Sequence, residues 1–217
     1  KFDEAWGVAV PPAKGWHLSQ MFEAMERGDL RSLYVIGENP ANSEADQHKA
    51  MELLSGLDTL VVQDIVLTGT AKLADVVLPA AAAAFESEGT VTNSERRVQR
   101  VRRARRPPGE ARDDLAIIFD LARRMGHDWG AAEPGRVWDE LRALSPMHAG
   151  MSYARLEALG GLQWPCWDDS HPGEAFLHSR LWERPILGRR APFTPVSWHA
   201  PVDALSDDFP IRLTTGR

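Results

Sequence analysis

Short apolar runs alternate with amphipathic stretches along the first half of the chain. Leu18, Met21, Phe22 and Met25 recur at i, i+3, i+4 and i+7, which predicts a helix, and Gly28 is placed to end it. Leu33-Tyr34-Val35-Ile36 then runs into Gly37-Glu38-Asn39-Pro40, the pattern of a buried strand closed by a tight turn. Ser43 with Asp46 three residues on resembles a capping box and predicts a helix to about Ser55. Leu60-Val61-Val62 is a second buried strand, ending in Gln63 and Asp64, and Asp75–Pro79 is a third. This alternation predicts an α/β fold, a parallel-sheet three-layer (Rossmann-like) domain. Its strands would end in polar residues along the carboxyl edge, where open α/β sheets bind ligands.

Further along, Gly89–Val101 alternates enough to be a hairpin. Leu115, Ile118, Phe119 and Ala122 share one face of a helix expected from Asp113 to Met125, and shorter helices are expected at Val137–Leu144 and Tyr153–Ala158. Residues 1–16 read as an extended lead-in rich in Pro, Gly and Trp. Beyond Gly160 the periodicity fades, and Trp164, Trp167, Trp182 and Trp198 sit among Pro, His and Asp. The expected division is an α/β domain over 1–150, a long irregular Trp-rich wrapping segment over 151–210, and the start of a truncated further domain over 211–217. The tryptophans are expected to pin the segment onto the sheet, and Ile211 onward to enter a strand.

Composition narrows the classes. The 217 residues, 43% hydrophobic with a net charge of −6, can bury a core and are not those of a disordered chain. One cysteine excludes an internal disulfide and any four-thiolate cluster within the chain, and Cys166 is expected to be a small buried side chain. No apolar run approaches the roughly 18–20 residues of a membrane span. The chain starts on Lys1 and stops within an expected turn, so it is expected to be an internal fragment. P-loop, G-x-G-x-x-G, H-E-x-x-H and G-x-S-x-G motifs are missing. Arginines 96, 97, 100, 102, 103, 105 and 106 form the strongest local charge signal. The remainder of the chain is acidic and no aromatics interleave this run, which argues against nucleic acid and for a solvated or partner-facing hairpin.

The strand ends carry the chemistry. Gly37-Glu38-Asn39-Pro40 and Ser43 place amide, carboxylate and hydroxyl groups where a strand gives way to a helix N-terminus, whose free N–H groups suit a phosphate or the polar edge of a purine. Gln63, Asp64 and Thr68 do the same one strand over. A carboxylate such as Asp64 can accept two N–H bonds from the N1 and N2 edge of guanine, and Gln or Asn can serve its O6 and N7. The same residues also suit an ordinary polar βα loop, where Asn-Pro is common punctuation.

Several blocks occur in one order: Gly37-Glu38-Asn39-Pro40, Val62-Gln63-Asp64-Ile65, Thr68-Gly69-Thr70-Ala71, Ala74–Pro79, Glu88–Gln99 and Asp113-Asp114-Leu115. Together they resemble the large subunit of molybdopterin-dependent oxidoreductases, most closely the formate dehydrogenase alpha subunit. Trp138–Arg142, Tyr153 and Gln163–Cys166 add to that likeness.

The resemblance implies a molybdenum (or tungsten) bis(molybdopterin guanine dinucleotide) centre, with this chain as a middle domain holding one guanosine end. The implied cofactor contacts are Gly37, Asn39, Ser43, Gln63, Thr68 and Asp114; Asp64 joins them from the hydrogen-bond argument alone. Asn39 and Ser43 stand where some relatives carry Asp and Thr, and Ala80 where a hydroxyl can occur. The metal-bound cysteine or selenocysteine and a 4Fe-4S cluster would lie upstream of Lys1, so no catalytic or metal residue is expected in this chain. The implied parent is a cytoplasmic enzyme oxidising formate to carbon dioxide. It would work with the remainder of its own large subunit and with iron–sulfur electron-transfer subunits, in a NAD-linked form. Alternatives are a nitrate reductase-type molybdoenzyme and a non-molybdenum structural homologue in NADH–quinone oxidoreductase.

Overall fold

Three parallel strands organise the first half of the chain in a computed structural model that describes residues 1–177, 193–200 and 204–213. Helix α1 (Phe2–Trp6) precedes α2 (Leu18–Glu26), whose cap His17 accepts from the Gln20 amide while the Gln20 side chain accepts from the His17 amide. Strand β1 (Ser32–Ile36) is followed by the short α3 (Pro40–Ser43), α4 (Gln47–Ser55), β2 (Thr59–Asp64), a 3-10 turn at Ala71–Leu73 and β3 (Val76–Pro79). The sheet order is β1-β2-β3, in a register that sets Val35 beside Val62 and Val62 beside Val77. Val35, Leu60 and Val62 bury one sheet face against Met25 of α2 and Leu54 of α4.

The helix expected to start at Ser43 is two helices. Ser43 ends α3, Glu44 is extended, and Asp46 caps α4 by accepting from the Lys49 amide at 3.0 Å. Pro40 starts a helix without needing an N–H of its own, and the acidic cap Asp46 then outcompetes Ser43 for the next start.

The second sheet is antiparallel. Strands β4 (Gly89–Thr92) and β5 (Arg97–Val101) form the expected hairpin. Three helices follow, α5 (Asp114–Arg124), α6 (Pro134–Leu144) and α7 (Tyr153–Leu159), and then a short β6 (Leu162–Gln163) that pairs with β5. Val98, Trp138, Met151, Leu156, Leu162 and Cys166 form a second core. Residues 151–175, at the start of the span expected to wrap, therefore belong to the first compact unit, Lys1–Ala175, because four of those six core side chains come from them. Trp164 packs on that core and Trp167 is exposed. Trp182 lies outside the described residues, as do residues 214–217, and Ile211–Leu213 are not in a strand. The second unit is Phe176–Arg217, in which Ser206 and Phe209 exchange backbone hydrogen bonds.

The arginine run is not simply solvated. Arg100 pairs with Glu88 at 2.6 Å and lies 3.4 Å over the Tyr153 ring, and Arg105 pairs with the buried Glu86 at 3.1 Å. Arg102 pairs with Glu157. Arg96 has a φ of 64° and donates to the carbonyls of Trp164, Glu174 and Ala175. These guanidiniums reach acidic and carbonyl partners that follow or precede them by many residues, which charge counting along the chain does not register. Among the described residues no helix is long and apolar enough to cross a membrane.

Candidate functional site

The carboxyl ends of β1 and β2 gather most of the polar residues singled out above. Gly37, with a φ of 63°, turns the chain at the end of β1, and its N–H donates to the Gln63 carbonyl at 2.9 Å. That left-handed conformation is one glycine adopts freely. Asn39 then folds back over the β2–β3 connection. Its Oδ1 accepts from the Thr70 amide at 3.1 Å and from the Thr70 hydroxyl at 2.9 Å, and its Nδ2 donates to Asn42 Oδ1 at 3.1 Å. Thr70 is fully buried, and its hydroxyl oxygen also accepts from the Ala41 amide at 3.0 Å. The two loops of the rim are thus locked to each other.

Gln63 is the other anchor, fully buried on the sheet face opposite the first core. The Tyr34 hydroxyl donates to its Oε1, and its Nε2 donates to Asp114 Oδ1 at 2.5 Å. Asp114 is the first residue of α5, so this bond brings a helix start to the strand ends. A reversed amide would set two acceptors against each other, so the carboxylate dictates the amide orientation. Burial, and secondarily the Asp114 charge, pushes the Tyr34 hydroxyl pKa above its ordinary value.

The remaining candidates are more open. Asp64 is half-buried and accepts from the Ile65 amide at 2.6 Å. The Thr68 hydroxyl accepts from the Ala71 amide at 3.1 Å, at the start of the 3-10 turn. Ser43 is exposed at the end of α3, its N–H donating to the Asn39 carbonyl. All seven candidates therefore lie on or directly beside one rim. Two carry their polar groups into the fold: Gln63 spends both ends of its amide on Tyr34 and Asp114, and Asn39 is engaged with Thr70 and Asn42.

Three residues of the rim were not singled out from the sequence. Tyr34 and Thr70 hold the two anchors, and Gly69 lets the backbone pass Asn42, whose side chain a Cβ there would strike. Gly69 itself, a glycine between two threonines, is the signal for close backbone approach; Tyr34 reads only as a strand residue. Next to Asp114, a cavity of about 270 Å³ opens between the hairpin, α5 and α6, lined by Ser87, Thr90, Trp138 and Tyr153 among others. Cys166 is fully buried and sits against Arg155, away from this rim. Among the described residues no three His, Cys, Asp or Glu side chains are grouped to hold a metal ion.

A parallel α/β sheet with a polar carboxyl rim, backed by a helix start, is the arrangement at which open α/β domains bind ligands. Residues 9–124 match the family described as Molybdopterin oxidoreductase, and the chain belongs to that family. It is 40% identical over 220 residues to the F420-dependent formate dehydrogenase subunit alpha of Methanocaldococcus jannaschii, covering 100% of this chain and 32% of that protein. It is 35% identical to formate dehydrogenase H of Escherichia coli, covering 100% of this chain and 30% of that protein. The chain thus spans about a third of the length of these relatives. Among solved structures it is similar to acetylene hydratase from Pelobacter acetylenicus, with a TM-score of 0.50 and 26% identity over 67% of this chain and 20% of that one.

Proposed function

We propose that this chain is the part of a formate dehydrogenase alpha subunit that holds the guanosine end of a molybdopterin guanine dinucleotide. The observation that supports this most is the convergence on one rim of Gly37, Asn39, Ser43, Gln63, Asp64, Thr68 and Asp114, from three separate stretches of chain. The donor set suits a purine nucleotide. Gly37 presents backbone without a Cβ, Ser43 and Thr68 offer hydroxyls, and Asp64 and Asp114 offer carboxylate oxygens to N–H edges. Asn39 and Gln63 act from behind, Asn39 holding the two loops in register and Gln63 fixing where the Asp114 carboxylate stands. The bound molybdenum or tungsten centre would supply the redox chemistry; these residues bind and orient its nucleotide tail.

In the complete cytoplasmic enzyme, formate would be oxidised to carbon dioxide, with electrons leaving through a 4Fe-4S cluster and iron–sulfur partner subunits. NAD is one acceptor for that chain, and the F420-dependent relatives make F420 another. The test uses the full-length subunit. It is expected to contain molybdenum or tungsten and to reduce a viologen dye with formate as electron donor, and not to oxidise the reduced dye with nitrate as electron acceptor. Asn39→Ala and Gln63→Ala are expected to lower cofactor content while each remaining centre works normally. Unchanged metal content in both variants, or absence of metal in the wild type, overturns the assignment.

A further inference from the structure

Strand β3 is an outer strand of the parallel sheet, paired with β2 on one side. Its sequence, Val76-Val77-Leu78-Pro79, carries no charge, yet Val76 is 46% and Val77 39% exposed. Neighbouring strand residues point to opposite faces. Both faces of this strand are therefore open, although parallel strands are ordinarily covered on both. Beside it in β2, Val62 and Gln63 are fully buried, so the exposure is confined to the edge.

The backbone adds a direction. The Ala80 N–H donates to the Asp64 carbonyl at 3.0 Å, toward β2. In a parallel ladder alternate residues bond to the same neighbour, so Val76 and Leu78 also bond to β2, while the N–H and C=O groups of Val77 face away from the sheet, on the same side as the Pro79 carbonyl. At the carboxyl end that outer row is already started. Arg112 forms a parallel bridge with Ala80, its N–H donating to the Pro79 carbonyl at 3.0 Å and its carbonyl accepting from Ala81 at 2.8 Å. At Val77, the next residue of that row, no described residue continues it. The edge has no lysine or bulge of the kind that discourages pairing.

We propose that the outer edge of β3, from Val76 to Leu78, is a docking strip for a short extended apolar segment of the same subunit lying outside these 217 residues. The inference rests on reading the chain as one part of a longer subunit. Relatives matched over the whole chain are about three times its length, so most of the polypeptide able to cover the strip lies elsewhere in that subunit. A tethered segment is also present at high effective concentration, which a separate protein is not. An extended apolar segment satisfies the outward N–H and C=O groups and covers both valines at once; a polar surface would leave the valines against polar groups.

Hydrogen exchange of the full-length alpha subunit, purified without its partner subunits, needs no substitution. The Val77 amide is expected to exchange at least about 100-fold more slowly than in the urea-unfolded subunit, and because it faces away from β2 its protection reports the occupant. Cysteines placed by Val76→Cys and Val77→Cys are expected to react with maleimide about 10-fold more slowly than in urea, read by peptide mass. Exchange and labelling at the unfolded rates overturn the proposal. So does protection that arises only on adding the partner subunits or on dimerisation, because the occupant is then another chain. Metal content and viologen reduction of the same preparation report on the parent reading separately, so an active, metal-loaded subunit with an unprotected strip overturns the docking alone.

Discussion

The side chain of Gln63, at the end of β2, donates to Asp114, 51 residues later and the first residue of α5, across 2.5 Å. One buried amide thereby sets the position of a helix start relative to a sheet edge. The Tyr34 hydroxyl closes the other side of the same amide.

Removing that amide leaves two half-buried polar groups, the Tyr34 hydroxyl and the Asp114 carboxylate, without their partner. Gln63→Ala in the full-length subunit is expected to lower unfolding stability by about 1–3 kcal/mol, read from urea unfolding. Gln63→Glu is expected to be worse for cofactor retention, since it sets a second carboxylate against Asp114. A Gln63→Glu variant with wild-type metal content would show that the Asp114 position does not depend on this bond.

Gly150 marks a backbone crossing. A Cβ there would strike the Asp168 carbonyl and come within 2.9 Å of Cys166 Sγ. The first obstacle is backbone already tied down, because the Asp168 carbonyl accepts from the His171 N–H at 3.1 Å and from Arg155 at 3.3 Å. Gly150→Ala is expected to cost about 3 kcal/mol, at the upper end of overpacking effects, and to be visible as a lowered urea midpoint. Gly15→Ala, where nothing lies within 4 Å of the added Cβ, is the matched comparison and is expected to leave the midpoint unchanged.

Asp120 sits among three arginines: Arg123 at 2.5 Å, Arg112 at 3.2 Å and Arg124 at 3.4 Å. The Arg123 hydrogen bond first, then that of Arg112, lowers its pKa from 3.8 to about 2. A depressed carboxylate pKa stabilises the fold above the unfolded value, and the benefit is lost as pH falls through the folded one. The urea midpoint of wild type relative to Asp120→Asn is therefore expected to be constant above about pH 5 and to shrink from about pH 4 to pH 2. High salt is expected to reduce the difference, because all four side chains reach solvent. A difference that stays flat through that window would mean the cluster does not hold Asp120 ionised.

How far the sequence carries depends on the range of each interaction. Strands β1 to β3, the hairpin and helices α2 and α5 to α7 follow from patterns a few residues long: apolar periodicity, Gly28 after a helix, polar residues closing each strand. The rim was legible for the same reason, since its candidates are the residues that punctuate those elements. Ser43 shows the limit within a loop, where a cap signal three residues long competed with Pro40 and Asp46 and lost.

Tertiary structure decided what lies across from what. That Gln63 and Asn39 turn inward to Asp114 and Thr70, that Arg100 rests on Tyr153, and that Leu162 joins the hairpin as a third strand all join residues at least 31 positions apart. The amino-acid order alone determined the elements, the polar rim and the family likeness. The partners were settled by packing, because a buried amide or guanidinium must find a complementary group within about 3 Å, and only the folded chain places one there.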